Sequence, residues 1–257
     1  MSPPATARTL DGKAALVTGG SRGIGRAIAL RLADAGARVA FTWLSNRAAA
    51  EEAEATLRTR APEVLSIRAN VGNAEHLDKV FDQIRERFGA LDVFVSNAAS
   101  GVMKPAVEID ARDWARSMDV NALALLLGAA RAAPLMAGRD ARIVAISSAG
   151  ATRVIRDYAA VGASKAALEA VVRYLGVEMA PRGITVNAVS AGITDTNSLR
   201  FIPGWEAMLA EATRRTPAGR AGTPEDIADI VYLLCRPEAR WIVGQVLVAD
   251  GGYSLTF

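Results

Sequence analysis

The stretch AALVTGGSRGIG, residues 14–25, decides the fold of this chain. Its first residues are apolar, as in a buried parallel strand, and they lead directly into a cluster of glycines. Apolar residues at helical spacing follow over residues 25–37, where Gly36 supplies the end of a helix. A strand, a glycine-rich turn and a helix in this order predict the first βα unit of a parallel sheet.

The turn itself carries Gly19, Gly23 and Gly25, a spacing that differs from the G-x-G-x-x-G form. Glycines let such a turn tighten and let the backbone approach a pyrophosphate at a helix N-terminus, where free N–H groups favour negative charge. A glycine cluster alone is often only a tight turn. Its place at the first βα junction favours dinucleotide binding here.

Strand-like and helix-like segments alternate through the rest of the chain, which predicts an α/β fold. We expect one Rossmann-type, doubly wound parallel sheet with helices on both faces. A mobile, proline-rich leader is predicted over residues 1–12 and a single domain over residues 13–257. Residues 195–222 break the alternation with apolar residues among prolines, which fits either ordinary packing or a substrate lid.

Composition limits the classes of function. The 257 residues include 51% hydrophobic residues, enough for a large core, and the net charge of +3 comes from scattered basic residues, so nucleic acid is not an expected partner. The single cysteine, Cys235, excludes an internal disulfide framework and favours a cytoplasmic location. Residues 1–13 lack the apolar core of a signal peptide. The apolar run 122–138 is interrupted by Arg131 and Pro134, which predicts a buried helix rather than a membrane span.

The choice of dinucleotide depends on the end of the second strand. NAD enzymes usually place an acid there for the ribose 2′-OH, but this chain has LSNR at residues 44–47 and no acid until Glu51. Arg22 and Arg47 could both meet a 2′-phosphate, because guanidinium forks match phosphate geometry. Arg47 could also be a solvated residue at a helix start. The pattern favours NADPH.

Polar motifs recur where strands are expected to end. They are SNAA at residues 96–99, ISS at residues 146–148 and NAVSAG at residues 187–192. Asn121 interrupts a predicted helix over roughly residues 110–137, where asparagine is a poor helix former. Ligands bind at the C-terminal ends of strands in an open α/β sheet, so these signals converge on one crevice.

With these motifs, and with VADGG at residues 248–252, the chain resembles the short-chain dehydrogenase/reductase family over nearly its whole length. The usual pair of that family is Tyr-x-x-x-Lys, with a serine thirteen residues before the tyrosine. Counting back from Lys165, Val161 occupies the usual tyrosine position and Ser148 keeps the serine position. The tyrosine alone has moved, to Tyr158.

The Tyr-x6-Lys arrangement resembles the enoyl-acyl-carrier-protein reductase III branch of the family. The similar segments are SNAASGV (96–102), YAAVGASKAALEA (158–170), VNAVSAG (186–192), TPAGR (216–220) and ANVG (69–72). Three residues span about 4.5 Å of helix, and the seven-residue spacing returns to the same helix face. A donor to the enolate oxygen of an enoyl thioester must stand farther from the carbon that accepts the hydride than a donor to a ketone oxygen. The three-residue displacement of the tyrosine is of about the right length for this difference.

The resemblance implies roles for four catalytic residues. Tyr158 would donate a proton or hydrogen bond to the enolate oxygen, and Lys165 would bind the nicotinamide ribose and lower the pKa of the tyrosine. Asn121 would hold a water that feeds protons to Lys165. Ser148 would polarise a carbonyl, as in ketone reducers, or only line the pocket. Cys235 is expected to be an inert core residue. His76 is expected to be a surface residue far from the crevice, and no metal site is expected.

The resemblance also implies contacts to NADPH. Ile193 and Thr196 would face the nicotinamide carboxamide, although Ala191 replaces the usual proline beside them. The full set of expected cofactor residues is Gly19, Ser21, Arg22, Gly23, Ile24, Gly25, Arg47, Asn70, Val71, Asn97, Ala98, Lys165, Ile193 and Thr196.

The expected activity is NADPH-dependent reduction of the C=C bond of a trans-2-enoyl thioester of CoA or an acyl carrier protein, in fatty acid or polyketide biosynthesis. The alternatives are a ketoreductase acting on a β-keto thioester or a specialised ketone, and a cofactor-binding sensor without turnover.

Family members mostly form dimers or tetramers, and the long helices over roughly residues 110–137 and 160–180 could supply such an interface. No membrane partner is expected.

Overall fold

A computed structural model describes residues 9–196, 199–201 and 204–256. The strands are β1 Ala14–Val17, β2 Arg38–Trp43, β3 Val64–Arg68, β4 Val93–Ser96, β5 Ala141–Ser148, β6 Ile184–Ala191 and β7 Val246–Ala249. The helices are α1 Gly23–Asp34, α2 Arg47–Arg58, α3 Ala74–Phe88, α4 Ala111–Met118, α5 Ala124–Leu135, α6 Ala159–Met179, α7 Trp205–Arg215 and α8 Pro224–Cys235.

The seven strands form one parallel sheet in the order β3-β2-β1-β4-β5-β6-β7. The chain winds outward from β1 in one direction and then, from β4, in the other. The order therefore reverses between β1 and β4, and such a switch point opens a crevice at the C-terminal ends of the strands. The predicted doubly wound parallel sheet is confirmed.

Two apolar layers cover the faces of this sheet. Helices α3, α5 and α6 pack on one face, around residues such as Leu16 and Phe94. Helices α1, α2 and α8 pack on the other face, around Val17 and Val95. Because side chains alternate between the faces of a strand, neighbouring residues of β1 and of β4 enter opposite layers. Both layers hold the C-terminal strand ends in place beneath the crevice.

Helices α4 and α5 are joined by a π-helical turn, Asp119–Leu123, so helix runs without a break from Ala111 to Leu135. The sequence predicted this helix, and the π turn lies at Asn121, the residue that disfavoured regular helix. Such turns occur mostly as single insertions in α-helices, frequently at functional sites.

One helix among the described residues, Ala111–Leu135, is long and apolar enough to cross a membrane, and half of its most apolar window is buried in the protein. A core helix passes the same test. Leu125, Ala129 and Ala132 of this helix are fully buried in the layer beside α3 and α6. Their packing agrees with the predicted buried helix.

The two ends of the predicted leader differ. Residues 1–8 lie outside the described residues, so the mobile leader stays a prediction there. Leu10 is buried and its N–H donates to the Ala35 carbonyl at 2.9 Å, and the Thr9 and Tyr232 hydroxyls are 2.8 Å apart. Residues 9 and 10 are therefore attached to the domain.

The predicted lid, residues 195–222, includes residues 197–198 and 202–203, which lie outside the described residues. Its described part contains α7, along which an open and mostly apolar groove is lined by Trp205, Leu209 and Ala210 among others. At its base the Gly222 N–H donates to the Ile193 carbonyl at 3.1 Å. A lid with this anchored base stays a prediction, beside ordinary packing.

Candidate active site

The glycine-rich turn is held from below by the end of β4. The Thr18 hydroxyl accepts hydrogen bonds from the N–H groups of Asn97 at 2.9 Å and Ala98 at 3.1 Å. The Asn97 amide donates back to the Thr18 carbonyl at 2.8 Å. A Cβ on Gly25 would collide with the Gly19 carbonyl, and Gly19 itself has a φ of +68°. The turn needs glycine at both positions, because a side chain at position 25 would collide with the turn's own backbone and one at position 19 would be strained at a positive φ.

The loop after β6 reaches the same turn. The side chain of Thr196 lies within 3.8 Å of the position that a Cβ on Gly23 would occupy. Thr194 pairs with Gly222 in an isolated parallel bridge, which fixes the loop just before Thr196. Two predicted cofactor segments that are far apart in the chain, around Gly23 and around Thr196, therefore lie together.

The loop after β3 carries Asn70 and Val71, and it contacts His76 at the start of α3. The Asn70 N–H donates to Nδ1 of His76 at 3.1 Å, and the Asn70 carboxamide accepts from the Gly72 N–H at 3.1 Å. The expectation that His76 lies far from the crevice is wrong. The N-cap residue Asn73 accepts the His76 N–H at 2.9 Å, which turns the start of α3 back towards this loop.

The two arginines predicted to recognise a 2′-phosphate are both exposed. Arg22 is the N-cap residue of α1, and Arg47 is the first residue of α2. The Arg47 guanidinium is paired with Glu51 one turn later, with Nε and Oε1 2.8 Å apart. Exposed i,i+4 pairs of this kind are weak, so Arg47 can exchange partners at little cost.

Tyr158 is the residue just before α6, and its side chain makes no capping hydrogen bond there. Its ring lies against Gly150 in the 3₁₀ turn after β5. A Cβ on Gly150 would come within 2.7 Å of ring atoms Cδ1 and Cε1. Burial raises the pKa of the Tyr158 phenol, and a hydrogen bond with the Ser148 side chain acts in the opposite direction. Two of the four expected catalytic residues, Tyr158 and Ser148, therefore lie near each other.

Lys165 lies two turns after Tyr158 on α6 and is only 4% exposed. Its Nζ donates to the Ile146 carbonyl at 2.6 Å. Burial lowers the pKa of Lys165 to about 8, and the negative charge of Glu169 opposes that shift. The expectation that Lys165 depresses the tyrosine pKa is wrong for this structure: the lysine ammonium is directed at the β5 backbone, and the phenol pKa is raised by burial.

Asn121 clamps the loop that follows β4. Its carboxamide accepts from the Ser100 N–H at 2.8 Å and donates to the Ser100 carbonyl at 2.9 Å. The same Nδ2 donates to the Ser164 hydroxyl at 2.8 Å, one residue before Lys165. Both N–H groups of this amide are occupied, so a water could meet the residue only at an oxygen atom.

Val161, in the position where the family usually has tyrosine, is buried against Gly101. A Cβ on Gly101 would collide with Cγ2 of Val161. The glycine of SNAASGV therefore makes room for this valine. The two features that the sequence singled out, the displaced tyrosine and the SNAASGV motif, are parts of one packing arrangement.

Two features of the site were not predicted from the sequence. Asp157, just before Tyr158, has a φ of +59°, the single positive value for a non-glycine residue in the part of the chain that the structure describes, and its carbonyl accepts the Lys104 N–H at 2.9 Å. Glu169 is buried beside Lys165. The burial of Glu169 could have been predicted, because this acid lies on the apolar face of the helical segment SKAALEA. The positive φ of Asp157 could not have been predicted from the residue types around it.

The arrangement brings a phenol, a hydroxyl and an ammonium group to one edge of the sheet, next to a turn shaped for a pyrophosphate. Residues 19–254 match the family model described as enoyl-(acyl carrier protein) reductase. The 1-cyclohexenylcarbonyl-CoA reductase of Streptomyces collinus is 40% identical, covering 99% of this chain and 92% of the relative. Versicolorin reductase of Emericella nidulans is 33% identical, covering 95% and 96%.

Among solved structures, a short-chain dehydrogenase from Burkholderia cenocepacia in complex with NADP superposes with a TM-score of 0.88. It is 35% identical and the match covers 96% of this chain and 99% of that one. Sequence, fold and the constellation at the strand ends agree. The chain belongs to the short-chain dehydrogenase/reductase family and is an oxidoreductase that works with a nicotinamide cofactor.

Proposed function

We propose that this enzyme uses NADPH to reduce the C=C bond of a trans-2-enoyl thioester. The observation that carries the proposal is the position of Tyr158, seven residues before Lys165, with its ring against Gly150 and its hydroxyl near enough to the Ser148 side chain for that serine to lower the pKa of the phenol. Val161 fills the usual tyrosine position with an inert side chain. The acid available to a substrate is therefore the displaced phenol.

The residues present fit a dinucleotide. Gly19 and Gly25 allow the tight turn after β1, and α1 begins at Gly23 with free N–H groups that favour a pyrophosphate. Arg22 and Arg47 are exposed guanidinium groups for a 2′-phosphate, and no acid stands at the end of β2 to favour a 2′-hydroxyl. The NADP complex of the relative from B. cenocepacia supports the same choice. When bound, reduced nicotinamide supplies the hydride.

The chemistry assigned to this chain's own residues is electrostatic. As the double bond is reduced, negative charge collects on the carbonyl oxygen of the thioester. The Tyr158 hydroxyl donates a hydrogen bond or a proton to that oxygen. Because burial raises the pKa of this phenol, it stays protonated and can donate at neutral pH. Groups preorganised for developing charge usually make the largest contribution to catalysis.

Lys165 is the proposed source of positive charge and the ligand of the nicotinamide ribose. Its ammonium is already dehydrated and held by the Ile146 carbonyl, so little reorganisation is needed when the ribose arrives. Asn121 is proposed to support the delivery of protons to Lys165. It lies in the π turn, where its carboxamide fixes Ser100 and Ser164. The remaining expected cofactor residues, Ser21, Ile24, Asn70, Val71, Ala98 and Ile193, keep their proposed roles.

The relative from S. collinus supports the substrate class. Its name describes reduction of 1-cyclohexenylcarbonyl-CoA, a thioester whose double bond is conjugated with the carbonyl. We propose an acyl thioester of CoA or of an acyl carrier protein as substrate. A homodimer or homotetramer is also proposed, with exposed apolar residues Leu126 of α5 and Tyr174 and Val177 of α6 at an interface.

A second candidate is a ketoreductase. A phenol and a serine hydroxyl near each other, as in Tyr158 and Ser148, are an arrangement that can polarise a ketone, and the relative from E. nidulans is named versicolorin reductase. This alternative predicts an alcohol product, whereas the leading proposal predicts a saturated thioester.

One assay separates the two. Purified enzyme is supplied with NADPH or NADH and with a matched pair of trans-2-enoyl-CoA and β-ketoacyl-CoA of equal chain length, and products are identified by mass spectrometry. We expect NADPH oxidation with the enoyl substrate and a product heavier by two hydrogens at the double bond. Turnover of the β-keto substrate with an inert enoyl substrate would reject the leading proposal.

A further inference from the structure

A buried acid that the proposed reaction does not use lies one helical turn beyond Lys165. Glu169 is 7% exposed, and its Oε1 accepts a hydrogen bond from the Ser147 hydroxyl at 2.6 Å. Acids are almost never buried this far without a partner. The hydrogen bond to Ser147 satisfies part of this carboxylate.

Two consecutive residues of β5 anchor two consecutive turns of α6. The carbonyl of Ile146 accepts Nζ of Lys165 at 2.6 Å, and the hydroxyl of the next residue, Ser147, donates to Glu169. The lysine and the glutamate are thus fixed separately, one helical turn apart, against the end of the same strand. Their positions are set by one carbonyl and one side-chain hydroxyl of β5.

Burial makes the charge of Lys165 sensitive to its neighbours. A lone buried ammonium group would lose its proton, because low dielectric surroundings disfavour the charged form. A nearby carboxylate opposes this loss. Burial lowers the pKa of Lys165 to about 8, and Glu169 is the charge that limits this fall.

We propose that Glu169 is a positioning residue whose buried carboxylate keeps the Lys165 ammonium charged and directed at the Ile146 carbonyl, where it serves the proton relay of Tyr158. The inference rests on the proposed function in that it assumes a working role for Lys165. Glu169 itself touches neither substrate nor cofactor.

The other groups around the pair leave this role to Glu169. Strand β5 contributes the hydroxyls of Ser147 and Ser148 and, at its other end, Arg142, which is paired with Asp140. The residues of β6 carry no titratable side chain. On the neighbouring helices, Asp113 of α4 is paired with Lys104, and Arg131 of α5 with Asp78.

The remaining ionisable groups on these elements do not replace it. Asp119 of the π turn lies beside Gly72, in the loop after β3. The phenol of Tyr158, at the start of α6, is protonated in the working range because burial raises its pKa. Arg112 and Arg116 of α4 are exposed, and so are Arg173, Tyr174 and Glu178 of α6.

The sequence makes a direct measurement feasible, because the chain has four lysines, Lys13, Lys79, Lys104 and Lys165. Protein labelled with [ε-¹³C]lysine gives four side-chain resonances, which arginine substitutions at the first three positions assign. Titration of the Lys165 resonance reports its protonation without any substrate. In Glu169→Gln we expect the titration midpoint to fall by at least about one pH unit, a tenfold loss of proton affinity.

Glu178→Gln is the matched control, since Glu178 is an exposed acid farther along the same helix, and its Lys165 midpoint should equal that of the wild type. Ser147→Ala provides a second route if Glu169→Gln does not fold. Loss of the hydrogen bond should destabilise the carboxylate and move the Lys165 midpoint in the same direction by a smaller amount. The proposal is overturned if every folded variant at positions 147 and 169 keeps the wild-type midpoint.

The pH profile of kcat gives the second readout. In Glu169→Gln its alkaline limb should move to lower pH together with the lysine resonance. The lysine titration does not depend on which substrate the enzyme reduces. If the wild type does not reduce enoyl thioesters but Glu169→Gln shifts the lysine midpoint, the proposed function is contradicted and the role of Glu169 is supported. If the wild type reduces enoyl thioesters but the midpoint does not shift, the proposed function stands and the role of Glu169 is contradicted.

Discussion

Tyr158 rests on Gly150 so closely that a single added carbon would displace it: a Cβ on the glycine would lie 2.7 Å from two atoms of the aromatic ring. Gly150 belongs to the 3₁₀ turn that continues β5, and its N–H is bonded to the Ser148 hydroxyl at 3.2 Å. The end of the strand therefore sets both the depth of the phenol and the position of its hydroxyl partner.

Gly150→Ala should displace the phenol without touching the cofactor cradle. Because misplacement of a reacting group by about 1 Å can cost two orders of magnitude, we expect kcat to fall by at least about tenfold with unchanged NADPH affinity. Steady-state kinetics and a fluorescence titration with NADPH measure the two quantities. Ala151→Ser, in the same turn, is the control. A fully active Gly150→Ala enzyme would show that the ring position does not matter.

The activity should depend on the protonation of Lys165. This residue works as the ammonium, and its pKa is lowered to about 8, chiefly by burial. The rate is then present below pH 8 and lost as the pH rises through that value, while the raised pKa of Tyr158 keeps the phenol from adding a limb in this range. A kcat profile between about pH 6 and 10 tests this, with the exposed Lys79→Gln as control. A flat profile up to about pH 10 would contradict the role of Lys165.

The selectivity for NADPH should depend on Arg47. Arg47→Ala removes a guanidinium fork near the end of β2, so we expect NADPH affinity to fall by about tenfold and NADH affinity to stay the same. Glu51→Gln is the informative partner variant, because it frees Arg47 from its ion pair and should leave or slightly raise NADPH affinity. Equal losses for both cofactors in Arg47→Ala would indicate a structural effect instead.

His76 should support the loop that carries Asn70 and Val71. Loss of the acceptor in His76→Ala frees the Asn70 N–H, and a hydrogen bond of this kind contributes about 0.5–1.5 kcal/mol, or roughly two- to tenfold in cofactor affinity. We expect KM for the cofactor to rise and kcat to stay constant. Glu75→Gln, the neighbouring exposed residue, is the control. Unchanged cofactor KM would remove His76 from the site.

The fold was predictable because local signals and global topology agree. Strand β1, the turn at Gly19 and helix α1 follow each other as the sequence pattern predicts. The alternation of strands and helices after them produces the parallel sheet. The π turn was predictable in part, because Asn121 is a poor residue for regular helix. These features depend on neighbours in the chain.

The site was less predictable, because burial and long-range contacts set its electrostatics. The sequence placed Tyr158 and Lys165 on one helix face, but it could not show that Nζ of Lys165 bonds to Ile146, nineteen residues earlier in the chain. The turn that brings His76 to Asn70 depends on a capping bond of Asn73. Charges on a helix are usually solvated, so the burial of Glu169 was overlooked.

The direct test of the role of Tyr158 is single-turnover reduction of a trans-2-enoyl-CoA by Tyr158→Phe, beside Ser148→Ala and the wild type, with NADPH binding measured on the same samples. Loss of the phenol should slow reduction by about 10²–10⁴-fold, the usual contribution of a positioned acid, with NADPH bound as before. Ser148→Ala should lose much less. Full-rate enoyl reduction by Tyr158→Phe, with the large loss found in Ser148→Ala, would mean that another group donates the proton.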